Sequence, residues 1–192
     1  MSEKILLQSI KKHGAILESL DRDIILLVSK KIIEAIKNGN KIFWCGNGGS
    51  ASQANHLSAE LIGGMYQKKI KPFKSICLNV DTAFITAWSN DDSFDNIFVR
   101  QLEALGNKGD VLIALSTSGN SQNIINAIKY TKSKGIKSIS LTGNKGGTIK
   151  DIGGINININ SNDTQRIQEM HILVGHIICC LLYTSPSPRD RG

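Results

Sequence analysis

The chain has 192 residues, and its 23 Lys and Arg against 16 Asp and Glu give a net charge of +7. That length suits one domain with at most an appendage. A hydrophobic content of 41% with 20% charged residues excludes a wholly disordered chain, and 5% aromatics means an aliphatic core.

The longest near-apolar run, residues 172–182, is about half the roughly 20 residues a bilayer span needs, and His176 interrupts it. At the start, Glu3 and Lys4 precede only Ile5-Leu6-Leu7 before Gln8, too short for a secretory signal. The expectation is a cytoplasmic protein without a membrane partner. Cys45, Cys77, Cys179 and Cys180 have neither metal nor redox spacing and sit in apolar stretches, so all four are expected as buried thiols. The basic balance does not point to nucleic acid, because the lysines are spread along the chain and aromatic stacking platforms are few. One cluster, Lys68, Lys69, Lys71 and Lys74, has no acid within it. It is either a solvated loop around Pro72 or a positive rim that attracts an anion.

In chain order, residues 1–39 carry helical spacing, with a second stretch capped by Asp21 or Asp23 and stopped at Asn38-Gly39-Asn40. The period then changes. Ile42-Phe43-Trp44-Cys45 predicts a buried strand, and residues 51–62 a helix. A second strand is expected at 75–78, a helix at 94–105, a third strand at 110–115 and a helix at 121–133. A fourth strand at 137–141 leads through the loop 143–147 and a brief helix to a fifth, where Ile155, Ile157 and Ile159 alternate. A helix over 164–182 closes the domain. Strands alternating with helices predict an α/β fold with a parallel sheet covered on both faces. Residues 1–40 form an N-terminal helical segment, and 41–182 the core. Residues 183–192 break character, hold two of the three prolines, and are expected as a disordered or non-native tail.

Two loops join a strand to a helix, where open parallel sheets bind ligands. The first is Gly46-Asn47-Gly48-Gly49-Ser50. The second, Ser116-Thr117-Ser118-Gly119-Asn120-Ser121, places four hydroxyls at a helix N-terminus. Free backbone N–H groups and the helix dipole favour an anion there, and a phosphate monoester fits. The bland alternative is ordinary capping and turn chemistry, which the same residues serve. A dinucleotide is excluded: no G-x-G-x-x-G is present, and Leu78-Asn79-Val80 supplies no acid at the end of the second strand. His56 and Glu60, four apart, share one helix face as a base, a metal pair or a plain surface pair. Gln168, His171 and His176 are polar positions in an otherwise apolar final helix.

These residues, with Asn90-Asp91, Leu141-Thr142-Gly143 and Arg166-Ile167-Gln168-Glu169-Met170-His171, resemble the sugar isomerase (SIS) domain family, and within it the branch that isomerises heptose phosphates. The resemblance covers about residues 1–182. It implies a five-stranded parallel sheet flanked by helices in a flavodoxin-like three-layer sandwich. It also implies N-terminal helices packing between subunits, and a homotetramer with sites at subunit interfaces. The implied reaction is aldose–ketose isomerisation of sedoheptulose 7-phosphate to D-glycero-D-manno-heptose 7-phosphate, in bacterial surface heptose biosynthesis. Carried over by position, Ser116, Thr117, Ser118 and Ser121 would hold phosphate. Asn47, Gly48, Gly49, Asn90, Asp91, Glu60 and Gln168 would hold the sugar. Glu60 and His176 would be the acid/base pair. His56, Glu60, Gln168 and His176 match positions that bind zinc in some members, and no nucleotide cofactor is implied. Isomerisation through an enediol needs a base over C1/C2 and a proton donor near the carbonyl oxygen, which these residue types supply. The alternative is a non-enzymatic adaptor of the same fold that binds the bacterial replication initiator. It lacks the Glu and the final His that this chain has. Gln165 departs from an acid that contacts sugar in some relatives and is left out of the site.

Gln168 and His176 are eight residues apart on one expected helix, about 12 Å along its axis. Zinc ligand atoms stand roughly 3.5 Å apart. The two can share one ion only through strain or a helix break at Gly175, so the sequence favours a site shared between chains; the bland alternative is that only one of Gln168 and His176 touches the site.

Overall fold

The computed structural model describes residues 3–65 and 72–184. Lys68, Lys69 and Lys71 of the basic cluster lie outside the described residues, as do 185–192; Lys74 donates to the Gly39 carbonyl at 3.0 Å. Two helices open the chain, α1 (Glu3–Glu18) and α2 (Arg22–Lys37). Asp21 separates them: its carboxylate accepts from the backbone N–H groups of Asp23 and Ile24 at 3.0 and 3.1 Å, capping α2. The core follows as β1 (Ile42–Gly46), α3 (Gly49–Gly63), β2 (Ser75–Cys77), α4 (Thr82–Asp91) and a 3-10 turn (Phe94–Asn96) that runs into α5 (Ile97–Leu105). Then come β3 (Val111–Ser116), α6 (Gln122–Lys134), β4 (Lys137–Gly143), α7 (Ile149–Ile152), β5 (Ile155–Ile159) and α8 (Thr164–Thr184).

The five strands form one sheet in the order β2-β1-β3-β4-β5, with every pair parallel. Side-chain alternation splits the core into two layers. Ile42, Trp44, Val111, Ile113 and Leu115 face α2, α3 and α8, while Phe43, Cys45, Leu112 and Ala114 face α5 and α6. Both faces are covered, which is why the strands read as continuous apolar runs. Chain direction across the sheet reverses at β1. The loops after β1 and β3 therefore lie side by side at the carboxyl edge, at the crevice where such sheets bind ligands.

Three features depart from the sequence expectations. Helix α4 was not anticipated. Asp81 caps it by accepting from the Phe84 N–H at 2.9 Å, and none of its residues is buried, so it leaves no apolar stripe in the sequence. Helix α8 runs two residues beyond 182. The Tyr183 hydroxyl shares its proton between the carbonyl oxygens of Glu60 and Leu61, at 3.0 and 2.9 Å, and its ring stacks on Phe73. Tyr183 thus closes the end of α3 and belongs to the fold rather than to a tail. Finally, Cys45, Cys77 and Cys179 are buried, but Cys180 is exposed, because the next residue on a helix turns about 100° off the buried face.

By length and composition α8 could cross a bilayer, with a mean hydropathy of 1.4. Its apolar side is instead used inside the domain, where Val174, Ile178 and Leu182 join the core beneath α2 and α3. Helix α1 is different. It has no buried residue, and Ile5, Leu6, Leu7 and Ile10 are all exposed. Its polar side holds it to α8, where His13 Nδ1 lies 2.7 Å from Glu169 Oε2 and Arg166 donates to the Ser9 carbonyl at 3.1 Å.

Candidate functional site

The first loop is fixed from below. Asn79, two residues past β2, uses its amide as a strand would: its Oδ1 accepts from the Gly46 N–H at 3.1 Å and its Nδ2 donates to the Gly46 carbonyl at 2.8 Å. Gly48 then turns the chain with φ +54 into α3, and Gly49 opens that helix. A side chain at Gly49 would meet the Gln168 amide, so the glycine leaves room for Gln168 over the loop.

The second loop is tethered within itself and to the segment that follows β4. Ser116 and Ser121 hydroxyls lie 3.3 Å apart, the Ser118 hydroxyl accepts from the Asn120 N–H at 3.1 Å, and Thr148 donates twice to Asn120 Oδ1. Gly119 has φ +66, and a Cβ there would strike the Gly146 carbonyl, so only glycine lets this loop seat against the loop after β4. Ser121 caps α6 by its backbone position without using its hydroxyl on the helix, leaving that hydroxyl facing Ser116.

Asn47 and Asn123 join the two loops. The Asn47 amide donates to Asn123 Oδ1 and accepts from Asn123 Nδ2, both at 2.9 Å. Asn123 is buried on the first turn of α6. Neither Asn79 nor Asn123 was singled out from sequence. Each is a side-chain amide bonding across a long sequence separation, for which spacing gives no signal.

The expected acid/base residues come together on the helices of the other layer. His56 Nε2 lies 2.8 Å from His176 Nε2 and 3.5 Å from Glu60 Oε1, and the three donors fall within 4.8 Å of one another. His56 and Glu60 share a face of α3 as their spacing required. His176 reaches them because α8 packs closely on α3 at Gly175, where a Cβ would overlap Leu57. Gly175 therefore acts by close approach, and α8 stays unbroken. The trio is assembled within one chain. Gln168, two turns earlier on α8, stands apart from it at Gly49, and its backbone carbonyl accepts from Gln53 at 2.7 Å.

The donor chemistry fits a zinc ion. Two unprotonated imidazole nitrogens facing each other at 2.8 Å repel unless a proton or a cation lies between them. Tetrahedral zinc holds such donors about 2.0–2.1 Å from the metal, so a small widening admits it. Behind the trio, burial chiefly, and the Glu60 carboxylate secondarily, push the Cys179 thiol up to about 12, keeping it neutral. His171 is fully buried, with neither ring nitrogen in good hydrogen-bond geometry; burial pushes its pKa down to about 4, and the nearby Thr142 backbone acts in the opposite direction. It is a neutral packing residue in the core of α8. Asn90 and Asp91 end α4, exposed and bonded to each other at 2.8 Å. A cleft of about 140 Å³ lies elsewhere, between α1 and the start of α8, lined by Lys12, Gln165 and Arg166 among others.

The family model for the SIS domain matches residues 8–143. Among curated relatives, a phosphoheptose isomerase of Aliarcobacter butzleri is 51% identical over 154 residues, 80% of this chain and 81% of that one. A phosphoheptose isomerase of Nitratiruptor sp. is 47% identical over 180 residues, 94% of this chain and 95% of that one. Among solved structures, the phosphoheptose isomerase GmhA from Neisseria gonorrhoeae superposes with a TM-score of 0.90 at 33% identity, over 95% of this chain and 99% of that one. These names favour the enzyme over the adaptor.

Proposed function

Since the chain belongs to the SIS domain family, we propose that it is a phosphoheptose isomerase, interconverting sedoheptulose 7-phosphate and D-glycero-D-manno-heptose 7-phosphate. The observation that carries this reading is the pairing of two features on one chain. A hydroxyl-rich anion loop closes β3, and a carboxylate stands beside two histidines that meet across α3 and α8.

Ser116, Thr117, Ser118 and Ser121 hold the phosphate, with the α6 N-terminus adding its dipole. Fixing this remote group spends binding energy on orienting the reacting end. Asn47, the backbone of Gly48 and Gly49, Gln168, and Asn90 with Asp91 hold the sugar chain. Glu60 takes the proton from the carbon beside the carbonyl, and His176 moves the proton at the carbonyl oxygen. The oxygen gains a proton as the C–H proton leaves, giving an enediol; the reverse pair of transfers on the neighbouring atoms gives the aldose. No electrons leave the substrate, so a redox cofactor has no part in the balance.

In a zinc-loaded site His56, Glu60 and His176 would hold the ion, which would supply polarisation of the substrate oxygens in place of the His176 proton. Gln168 would join them only by leaving Gly49. Exposed Ile5, Leu6, Leu7 and Ile10 on α1 support packing against further copies, in a tetramer whose sites border two chains. The exposure of His56, Asn90 and Asp91 supports the same, since a neighbouring copy would wall off water. A cytoplasmic location suits a charged sugar-phosphate substrate.

Incubating purified protein, with and without added zinc, with sedoheptulose 7-phosphate tests the reading. Formation of the aldose supports it. No aldose under either condition contradicts it.

A further inference from the structure

We propose that Asn123 is a positioning residue that couples the loop holding the sugar to the loop holding the phosphate. This rests on the proposed function for what the two loops carry. The geometry of the coupling is independent of it.

Asn123 is 2% exposed and lies two residues after Ser121, so it moves with the phosphate-binding end of α6. Its Oδ1 also accepts from the Ile124 N–H at 2.9 Å, which fixes how the amide is turned. The reciprocal pair with Asn47 then fixes the Asn47 amide in turn. An amide carries two N–H donors and an oxygen with two lone pairs. Asn47 therefore keeps one N–H and one lone pair for a ligand, both aimed in a set direction.

Among the described residues, the other side-chain tethers do not span the two loops. Asn79 holds the first loop at Gly46 from the β2 side, and Gly48 and Gly49 have no side chains to contribute. The second loop is held by Ser116, Ser118, Ser121 and Asn120 among themselves, and by Gly143 at the end of β4 with Thr148 and Ile149 from the segment after it. Among the described residues, the Asn47–Asn123 pair is the side-chain link recorded between them. A heptose phosphate places its phosphate and its reacting carbons at opposite ends. Register between the loops therefore decides where C1 and C2 come to rest. A shift of about 1 Å at the reacting atoms can cost about 100-fold in rate.

The test is Asn123→Leu, which keeps the volume but removes both bonds to Asn47. Turnover of sedoheptulose 7-phosphate should fall at least about 10-fold, while the dissociation constant for inorganic phosphate stays within about three-fold, because the second loop keeps its own tethers. Wild-type turnover overturns the proposal. So does phosphate affinity that falls in step with turnover, which would mean that Asn123 only holds the fold. A cycle with Asn47→Ala gives a second readout: the double variant should be no worse than the poorer single, and additive losses overturn the coupling. Should Asn123→Leu fail to fold, Asn123→Ser carries the same measurements. Wild-type protein without isomerase activity would overturn the proposed function alone. The coupling is then decided by the affinity for sedoheptulose 7-phosphate relative to inorganic phosphate. Asn123→Leu should lower that ratio, and an unchanged ratio overturns the coupling.

Discussion

His176 Nε2 stands 2.8 Å from His56 Nε2, across two helices that pack at Gly175 and across 120 positions of sequence. Two imidazoles held this way, with the Glu60 carboxylate 3.5 Å from one of them, form a site for a cation or a shared proton. Added zinc should therefore raise the melting temperature of the wild-type protein. At about 100 times the dissociation constant the gain is about 2.7 kcal/mol. His176→Ala should lose most of that gain, and an undiminished shift in the variant would place the ion elsewhere.

Phosphate binding at the second loop makes its own prediction. Inorganic phosphate should stabilise the wild-type protein against heat, because a ligand that binds only the native state shifts the equilibrium. Ser118→Ala combined with Ser121→Ala removes two of the hydroxyls and should abolish the rise. The comparison is between shifts with and without phosphate, so the lost Ser118–Asn120 bond does not confound it. A full shift in the double variant would leave the loop a purely structural turn.

Much of this arrangement was legible in the sequence, and what was missed has identifiable causes. Continuous apolar runs gave the strands because both sheet faces are covered. Asp21 and Ser121 marked helix starts that the structure keeps. The His56–Glu60 face followed from helical period alone. Helix α4 was missed because nothing on it is buried. Asn79 and Asn123 were missed because an Asn near a turn looks like a turn former, while its partner is chosen by the fold. Helix rise set Gln168 and His176 two turns apart on α8, but it left open which of them stands beside His56 and Glu60. Gly175 was weighed as a break, when its effect is to let α8 close on α3 and carry His176 to His56.

Buried His171 predicts a pH dependence. Its folded pKa of about 4 lies below the ordinary histidine value near 6.5. The unfolded chain takes up a proton that the native state refuses. The contribution is thus fully present above about pH 6.5 and is lost as pH falls toward 4, on the order of 3 kcal/mol in all. Urea unfolding of wild type and His171→Leu at pH 7 and pH 4.5 checks this. The wild-type protein should lose more stability than the variant on acidification. Equal losses would mean that His171 accepts its proton in the folded state.

Tyr183 predicts a local stability effect. Tyr183→Phe keeps the ring against Phe73 but leaves the Glu60 and Leu61 carbonyls without the hydroxyl. The expected cost is about 1 kcal/mol in urea unfolding, as for a typical hydrogen bond. No change would show that water replaces the hydroxyl at no cost.

The most direct test of the central claim sets wild-type protein and Glu60→Gln side by side on sedoheptulose 7-phosphate. The substitution keeps size and hydrogen bonding and removes the base. Wild type should form the aldose 7-phosphate, and Glu60→Gln should form it at least about 100-fold more slowly, the low end for loss of a general base, with an unchanged melting temperature. A Glu60→Gln protein that turns over at the wild-type rate, or a folded wild-type protein that forms no aldose, would contradict the account.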